Sequence, residues 1–418
     1  MSRRIDSVGV WVDLEGVDAP VHMGTLRCQS GGSGDIFSFE YDESWLKRRE
    51  AFAFDPDLAL IEGAQYPAAH RGNFGIFLDS APDRWGRQLM QRRENVMARA
   101  ESRRPRVLTE WDFLLGVHDK TRLGALRYRR SPDGPFVDSD DQLAAPPLTS
   151  LRELQSASLN LEEEHDEDDP EYAKWLSQLV APGTSLGGAR PKASVRDEAR
   201  MLCIAKFPSR NDTHDVGAWE IVAHRIASRA GISVPETRAL RLGGNPHTTF
   251  LARRFDRTAD GHRRAFVSAM TLLQRVDGEA GGSYLELVDL LQSQGVNTRA
   301  DCAELFRRVV FSILIHNTDD HLRNHGFFIS SKGIALSPAF DINPSIHRTD
   351  LTLAINETET ACDPGIAMHA YSDYGLSSAE AADIVNKVRA AVTNWRDDAR
   401  QLKIPRGEQE LMAAAFQG

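Results

Sequence analysis

Cysteine is scarce in this chain. Its 418 residues include four cysteines, and no two of them form a C-x-x-C pair. A disulfide framework or a cysteine-rich zinc site needs more cysteines at closer spacing, so the sequence excludes both. Cysteines this sparse are typical of proteins in a reducing cytoplasm, which is the location we predict. The four residues are Cys28, Cys203, Cys302 and Cys362.

Long apolar segments are also missing. The first sixteen residues contain Asp6, Asp13 and Glu15, where a secretion signal needs an unbroken apolar stretch. The longest run without a charged side chain covers the fifteen residues 175–189, and Pro182 interrupts it. A helix that crosses a bilayer needs about twenty apolar residues. The sequence therefore predicts a soluble protein with no export signal and no membrane partner.

The rest of the composition is that of a folded protein. Hydrophobic residues make up 41% of the chain and charged residues 26%, and no internal repeat is visible. The net charge of −10 is local, since eight acidic side chains lie within residues 162–171. This run and the proline-rich stretch before it cannot bury enough apolar surface to order themselves well. We predict a linker over 131–171 between an amino-terminal subdomain, 1–130, and a core, 172–418.

Hydrophobic periodicity indicates the fold class of these regions. Strand-like and helical patterns alternate before the linker and again over residues 172–255, whereas residues 256–418 are mainly helical. We therefore predict an α+β fold whose core has a mixed amino-terminal lobe and a helical carboxy-terminal lobe. A basic strip runs from Arg84 to Arg106. It is either a solvated helix face or a surface for nucleic acid or a protein partner.

Three helices of the core have clear signals. Apolar spacing over residues 215–229, with Asp215 able to cap the start, predicts the first. The run CAELFRRVVFSILIHN has a continuous apolar stripe and predicts a buried helix at the centre of the helical lobe. Ser377 and Glu380 form a capping box in front of a third apolar stripe.

The densest polar cluster follows the central helix, in HNTDDHLRNHGFF. Asp319 and Asn324 stand five residues apart, the separation of the catalytic base and the metal-binding amide in the catalytic loop of protein kinases. In that loop the aspartate accepts the proton of the substrate hydroxyl, and the asparagine holds Mg²⁺. Asp341 follows in LSPAFDINPS and can supply a second, stronger carboxylate ligand. The pattern predicts phosphoryl transfer.

A kinase also needs a phosphate-binding loop and a cationic clamp, and both precede the catalytic loop in the expected order. Lys206 ends the apolar run MLCIAK, and Glu220 lies on the next predicted helix, where it can hold that lysine by an ion pair. In SLGGARPK, Gly187 and Gly188 allow backbone amides to approach phosphate, and Lys192 adds positive charge. The order of the four parts carries this prediction, because each part alone is common.

Five motifs in order resemble one family. GTSLGGARPK, IAKFP, ARRFDR, NTDDHLRNH and SPAFDINPS are similar to the kinase-like core of the HipA family, bacterial serine/threonine kinases that are the toxins of type II toxin–antitoxin pairs. FGIFLDSAPDRWGR resembles the amino-terminal subdomain of that family. The resemblance covers nearly the whole chain. It implies a two-lobed protein-kinase-like fold, ATP and Mg²⁺ as cofactors, and a cytoplasmic enzyme connected with persistence.

The resemblance also implies residue roles. Asp319 is implied to be the catalytic base, and Asn324 and Asp341 the Mg²⁺ ligands. Ser185 stands where the family carries a serine whose autophosphorylation ejects the nucleotide loop and switches the enzyme off. Two positions depart from the family pattern, because Arg253 replaces an acidic hinge residue and Asp320 a small residue. The nucleotide contacts implied are Gly187, Gly188, Ala189, Arg190, Lys192, Lys206, Arg253, Arg254, Phe255, His321, Asn324 and Asp341.

Partners are implied in the same way. A separately encoded, HipB-like helix-turn-helix antitoxin is expected to bind this kinase and carry it to operator DNA. This chain has no convincing helix-turn-helix of its own, so contact with DNA is expected mainly through the antitoxin. Family members phosphorylate aminoacyl-tRNA synthetases, and such a synthetase is the first candidate for the protein substrate.

Three other interpretations stay open at this stage. His316, His321 and His325 include an i, i+4 pair that could bind zinc on one helical face, and Asp319 or Asp320 could complete the site. This metallohydrolase interpretation leaves the upstream lysine, glutamate and glycine loop without a role. The chain could instead be a weakly active, kinase-like corepressor that binds an antitoxin. It could also be a small-molecule kinase, because phosphoryl transfer uses the same groups whatever hydroxyl attacks.

Overall fold

Contacts within the chain divide it into two compact units. The computed structural model describes residues 4–31, 34–139, 145–163, 170–180, 188, 190–279 and 281–417. Unit 1 comprises residues 1–210, 256–267 and 329–331, and unit 2 comprises residues 211–255, 268–328 and 332–418. The subdomain boundaries expected from the sequence, at residues 130 and 171, stay a prediction.

Strands and helices alternate in the first half of the chain. In chain order they are β1 (Arg4–Val12), β2 (Val21–Gly31), β3 (Gly34–Tyr41), α1 (Glu43–Leu46), α2 (Gly75–Asp79), α3 (Arg84–Ala100), α4 (Glu110–Leu115), β4 (Leu126–Arg129), α5 (Leu151–Leu161), α6 (Pro170–Val180), β5 (Lys192–Arg196) and β6 (Leu202–Lys206).

The second half of the chain is mainly helical, as predicted. Its elements are α7 (Val216–Arg229), β7 (Thr237–Leu240), β8 (Thr249–Arg253), β9 (Phe266–Ser268), α8 (Ala269–Leu272), α9 (Tyr284–Gln294), α10 (Thr298–Leu314), β10 (Gly326–Ser330), β11 (Gly333–Leu336), α11 (Pro364–His369), α12 (Ser378–Thr393), α13 (Trp395–Gln401) and α14 (Arg406–Met412). None of the helices within the described ranges combines the length and the apolar character that a membrane span requires.

Unit 1 begins with an antiparallel sheet in the strand order β3-β2-β1-β4. Val8, Val10 and Val12 of β1 are buried, because side chains two residues apart lie on the same face of a strand. Val8 pairs with Leu26 of β2, and Leu26 pairs with Phe39 of β3. This row of apolar side chains forms the core face of the sheet. The strand-like patterns predicted before the linker are confirmed by β1 and β3.

Helix α3 carries most of the basic strip. Its N-cap is Asp83, whose Oδ1 accepts a hydrogen bond from the backbone N of Gly86 at 2.7 Å. Several arginines of the strip form ion pairs inside unit 1, namely Arg87 with Glu110, Arg103 with Glu94 and Glu101, and Arg106 with Glu94 and Asp112. These pairs neutralise part of the positive charge and favour the interpretation of the strip as a solvated helix face.

Part of the predicted linker is helical. Helix α5 lies within residues 131–171, buries Leu151, Leu154 and Leu161, and packs against α6. A polar, proline-rich composition does not prevent this, because an amphipathic helix needs only one apolar stripe to bury. The expectation of a structureless linker therefore does not hold for the segment occupied by α5.

Helices α7 and α10 lie at the centre of unit 2. Helix α7 begins at Asp215, whose carboxylate accepts hydrogen bonds from the backbone N of Ala218 and from Thr248. Helix α10 packs against α9, α11 and α12. The capping box of Ser377 and Glu380 is present at the start of α12. All three helices predicted in the core are thus confirmed.

Candidate active site

Helix α10 leads directly into the predicted catalytic loop. The helix ends at Leu314, and His316 adopts a left-handed conformation with φ of 48°. Such a residue turns the chain away from the helix axis. The loop then continues to His325, after which β10 begins at Gly326. Because most of α10 is buried, the start of the loop is fixed against the core of unit 2.

The loop brings the predicted base and a predicted Mg²⁺ ligand together. Asp319 is exposed, as a group that must reach a substrate hydroxyl has to be. The side-chain Nδ2 of Asn324 donates a hydrogen bond to the backbone O of Asp319 at 3.3 Å. The backbone N of Asn324 donates to the O of His321 at 2.8 Å. These two bonds close the segment into a tight turn.

Asp320, beside the base, is buried and anchors the loop. Tyr284 donates a hydrogen bond to its Oδ2 at 2.7 Å, and Ser312 donates to the same atom at 3.3 Å. Nε2 of His325 lies 3.0 Å from its Oδ1. Burial acts to raise the pKa of Asp320, but His325 and Tyr284 stabilise the ionised form, so the pKa falls below its ordinary value. Burial, followed by the charge of Asp320, raises the pKa of Tyr284.

A chain of polar side chains links this anchor to Asp341. Asn317 donates a hydrogen bond from Nδ2 to Oγ of Ser312 at 3.4 Å, and its Oδ1 accepts one from the backbone N of Asn343 at 3.1 Å. Nδ2 of Asn343 donates to Oδ1 of Asp341 at 3.1 Å. Asp341 has φ of 56°, a conformation that aspartate tolerates better than most residues. The segments that carry Asp319 and Asp341 are therefore joined by side-chain hydrogen bonds.

A small cavity lies behind the loop in unit 2. Its volume is about 20 Å³, far below the few hundred cubic ångströms of a typical ligand site. A nucleotide therefore cannot bind inside it. One wall is apolar, and the other is formed by Arg308, Ser312, Asn317, Asp320, Asn324 and His325.

The predicted hinge residues lie at the end of β8 and directly after it. Nη1 of Arg253 lies 3.1 Å from Oε2 of Glu236, and Arg254 is buried. The ring of Phe255 lies 5.5 Å from the ring of Phe340, centroid to centroid. Phe340 directly precedes the predicted second metal ligand. An aromatic contact therefore joins the predicted hinge to the predicted metal-binding segment within unit 2.

The predicted phosphate-binding residues of unit 1 lie on a hairpin and just before it. Strands β5 and β6 are antiparallel, with Lys192 opposite Lys206 in the register. Lys206 is half-buried, whereas Lys192 is 2% exposed and its Nζ lies 2.6 Å from Oδ2 of Asp83. Gly188 has φ of 110°, and Arg190 is half-buried. Three further predicted residues, Ser185, Gly187 and Ala189, lie outside the described residues.

The other predicted residues belong to unit 2. Glu220 lies on α7 and is 2% exposed. Lys206 belongs to unit 1, so the ion pair between Glu220 and Lys206 stays a prediction. His321 is half-buried at the start of the turn Leu322–Asn324, and its contact with phosphate also stays a prediction.

The donor types at the site fit Mg²⁺ better than zinc. His316 contacts the carboxy-terminal segment, and His325 pairs with Asp320. In the part of the chain that the structure describes, no three histidine, cysteine or acidic side chains are grouped so that they could hold a metal ion. Mg²⁺ is commonly held by one or two protein oxygens together with substrate phosphates and water. Asp341 and Asn324 offer such oxygens.

The sequence did not indicate several residues that hold the site. Tyr284 and Ser312 lie on apolar helices, where nothing distinguishes them from other helical residues. Asn317 and Asn343 are inside the two polar motifs, and that placement is the only signal that could have found them. Asp83, the partner of Lys192, stands 109 residues upstream of it.

Fold and site together define a protein of the α+β, protein-kinase-like class. A family model described as HipA-like C-terminal domain matches residues 184–395, just over half of the chain. The chain belongs to this family. It is also similar in fold to a chain of the Shewanella oneidensis HipA, HipB and operator DNA complex, with a TM-score of 0.65 and 16% sequence identity over 97% of this chain and 94% of that chain. These matches confirm the predicted fold class.

Two curated relatives match shorter segments. The Sinorhizobium fredii protein named "Putative kinase Y4dM" is 34% identical over 174 residues, which cover 38% of this chain and 41% of the relative. The Escherichia coli protein named "Toxin YjjJ" is 27% identical over 191 residues, 42% of each chain. The chain thus spans about two fifths of the length of these relatives.

Proposed function

We propose that this protein is an ATP- and Mg²⁺-dependent serine/threonine protein kinase. Asp319 accepts the proton of the attacking hydroxyl, and Asn324 and Asp341 hold the metal ion. Lys206 binds the α- and β-phosphates and is oriented by Glu220. The remaining nucleotide contacts are Gly187, Gly188, Ala189, Arg190, Arg253, Arg254, Phe255 and His321.

The geometry of the catalytic loop carries this proposal. The exposed Asp319 has the buried Asp320 beside it, and its backbone O accepts a hydrogen bond from Asn324. A base held by a buried anchor keeps its position when substrate binds, which is what transfer between two bound groups requires. The metallohydrolase interpretation has less support, because two of its three histidines have separate partners within unit 2: His316 contacts Gln417, and His325 pairs with Asp320.

The oxygen donors of unit 2 support the choice of metal. Asp341 contributes a carboxylate and Asn324 an amide oxygen, both hard ligands that suit Mg²⁺. When bound with a nucleotide, Mg²⁺ supplies positive charge that offsets the negative charge of the transferring phosphoryl group. The hydrogen bond from Asn343 to Asp341 orients the carboxylate.

We further propose that this kinase is the toxin of a type II toxin–antitoxin pair. Similarity to proteins named as a kinase and as a toxin supports the class, and similarity to a chain of a complex with HipB and operator DNA supports a HipB-like antitoxin as partner. The resemblance of the motifs favours a protein substrate such as an aminoacyl-tRNA synthetase. DNA is then contacted mainly through the antitoxin.

Substitution of the base tests the reaction. Asp319→Asn keeps the shape of the side chain and removes its basicity, so transfer from labelled ATP should fall by about 10²- to 10⁴-fold, while ATP binding measured by calorimetry stays close to wild type. Asp289→Asn, an exposed aspartate on α9, is the matched control and should retain full activity. Transfer at the wild-type rate by Asp319→Asn would show that Asp319 is not the base.

The choice of acceptor distinguishes the kinase classes. The wild-type protein is incubated with labelled ATP and one of two acceptor preparations. One is the total protein of a cell extract, and the other is the low-molecular-weight fraction of the same extract. Label incorporated into serine or threonine of proteins supports the proposal. Label found only in the metabolite fraction would favour a small-molecule kinase on the same scaffold.

A further inference from the structure

A buried ion pair joins the start of helix α3 to strand β5. Nζ of Lys192 lies 2.6 Å from Oδ2 of Asp83, and the two side chains are 3% and 5% exposed. Burying two charges is costly unless each has a close partner. Both residues belong to unit 1, so the contact lies within one compact body.

A second contact joins the same two elements. Nε1 of Trp85 donates a hydrogen bond to the backbone O of Lys192 at 3.2 Å. Asp83 also caps α3 through the backbone N of Gly86. The first turn of α3 therefore holds both the side chain and the backbone of Lys192, and the carboxylate that binds the lysine is itself fixed by the helix.

Lys192 reaches the nucleotide loop as well. Its Nζ donates a hydrogen bond to the backbone O of Gly188 at 3.0 Å. Gly188 has φ of 110°, and a Cβ added there would lie 3.2 Å from that Nζ. A larger residue would thus be strained by its backbone conformation and crowded by the ammonium group. The lysine connects Asp83 on one side with the loop on the other.

We propose that Lys192 is a positioning residue that ties the base of the nucleotide loop to the amino-terminal subdomain, in place of the phosphate contact predicted from the sequence. The inference rests on the proposed kinase function, in which Lys206 binds the phosphates. It assigns a role to the motif SAPDRWGR, which contains Asp83 and Trp85 and has no part in the catalytic machinery. Through this tie, the amino-terminal subdomain sets the affinity of the kinase for ATP.

The test compares Asp83→Asn, Lys192→Met and the double variant in the full-length chain. Hydrogen exchange of the peptide over residues 188–196 is measured without nucleotide, and the Kd for ATP with Mg²⁺ by calorimetry. Each single variant should exchange faster over that peptide and raise the Kd by roughly tenfold. The double variant should bind ATP no more weakly than the single variant with the higher Kd, since each single substitution already removes the same tie.

A second buried pair of unit 1 provides the control. Nη1 of Arg71 lies 3.6 Å from Oδ1 of Asp55, and both side chains are at most 1% exposed. Asp55→Asn should lower the melting temperature without changing the Kd for ATP or the exchange over residues 188–196. This separates a specific tie from a general loss of stability in unit 1.

Three results would overturn the proposal. If Lys192→Met weakens ATP binding while Asp83→Asn leaves it unchanged or tightens it, the lysine contacts phosphate directly. Unchanged hydrogen exchange over residues 188–196 in Asp83→Asn would refute the tie. This measurement needs no ATP, so failure of the tie can be distinguished from failure of the proposed kinase function. The double variant serves if the single variants do not fold, because it leaves no unpaired buried charge. It must then show the faster exchange and the higher Kd for ATP. Wild-type values of both in the double variant would refute the proposal.

Discussion

Nε2 of His325 lies 3.0 Å from Oδ1 of Asp320, so the residue after a proposed Mg²⁺ ligand contacts the residue after the proposed base. The pair is buried, whereas Asp319 is exposed and Asn324 half-exposed. The loop is therefore held by buried partners, while the two residues with proposed roles in the reaction lie at or near the surface. Asp320, which stands where the family resemblance implies a small residue, thus anchors the loop in this chain.

The hydroxyl of Tyr284 should contribute to stability and to turnover. Tyr284→Phe removes a donor to the buried carboxylate of Asp320, which should lower the free energy of unfolding by about 1–3 kcal/mol. We expect kcat to fall more than the KM for ATP rises, because the loop carries the base. Urea unfolding and steady-state kinetics measure both effects. Tyr371→Phe, at a half-buried tyrosine of the same unit, should leave the free energy of unfolding and kcat unchanged. If Tyr284→Phe and Tyr371→Phe give the same values, Tyr284 does not anchor the loop.

Asp341 should determine the dependence of ATP binding on Mg²⁺. Asp341→Asn keeps the size of the side chain but removes the charge that binds the ion, and we expect a loss of about 3 kcal/mol in transition-state stabilisation. In calorimetric titrations, ATP should bind the variant with nearly the same affinity with and without Mg²⁺. The exposed Asp373→Asn is the control. A variant at Asp341 that keeps the full Mg²⁺ effect would remove this residue from the ligand set.

Ser185 is predicted to be the site of autophosphorylation. A phosphate adds nearly two negative charges beside the place proposed for the ATP phosphates, and like-charge repulsion then opposes nucleotide binding. Incubation with Mg²⁺ and ATP should add one phosphate to the intact mass and lower ATP affinity, while Ser185→Ala and Asp319→Asn stay unmodified. Ser177→Ala, at an exposed serine of α6, should still be modified. A phosphate mapped to another residue would contradict the prediction.

The isolated chain should bind DNA weakly. Ion pairs within unit 1 neutralise Arg87, Arg103 and Arg106 of the basic strip, which reduces the positive charge that the strip offers to DNA phosphates. Fluorescence anisotropy should show binding without sequence preference that weakens steeply as salt rises. Addition of a HipB-like antitoxin should produce the sequence-specific complex. Tight operator binding by the chain alone would reverse this division of roles.

Local sequence signals were sufficient to predict the helices whose start and apolar face are encoded by residues close together in the chain. Helix α7 followed from apolar spacing and the cap at Asp215, and α12 from its capping box. Helix α5 was not predicted, because the composition around it is that of a linker and its apolar face is recognised only when it packs on α6. A short amphipathic segment gains most of its stability from such packing and little from local propensity.

The sequence by itself determined the α+β class and led to the prediction of Asp319, Asn324 and Asp341 as the reacting residues, because the five-residue separation of Asp319 and Asn324 is that of the protein-kinase catalytic loop. Only the tertiary structure decided which groups hold them. Tyr284 and Ser312 reach Asp320 from two separate helices, and Asp83 meets Lys192 across 109 residues. No local pattern encodes these partners, because a buried charge is stabilised by whichever side chains the packing brings within hydrogen-bond distance, and that choice is made by the fold as a whole.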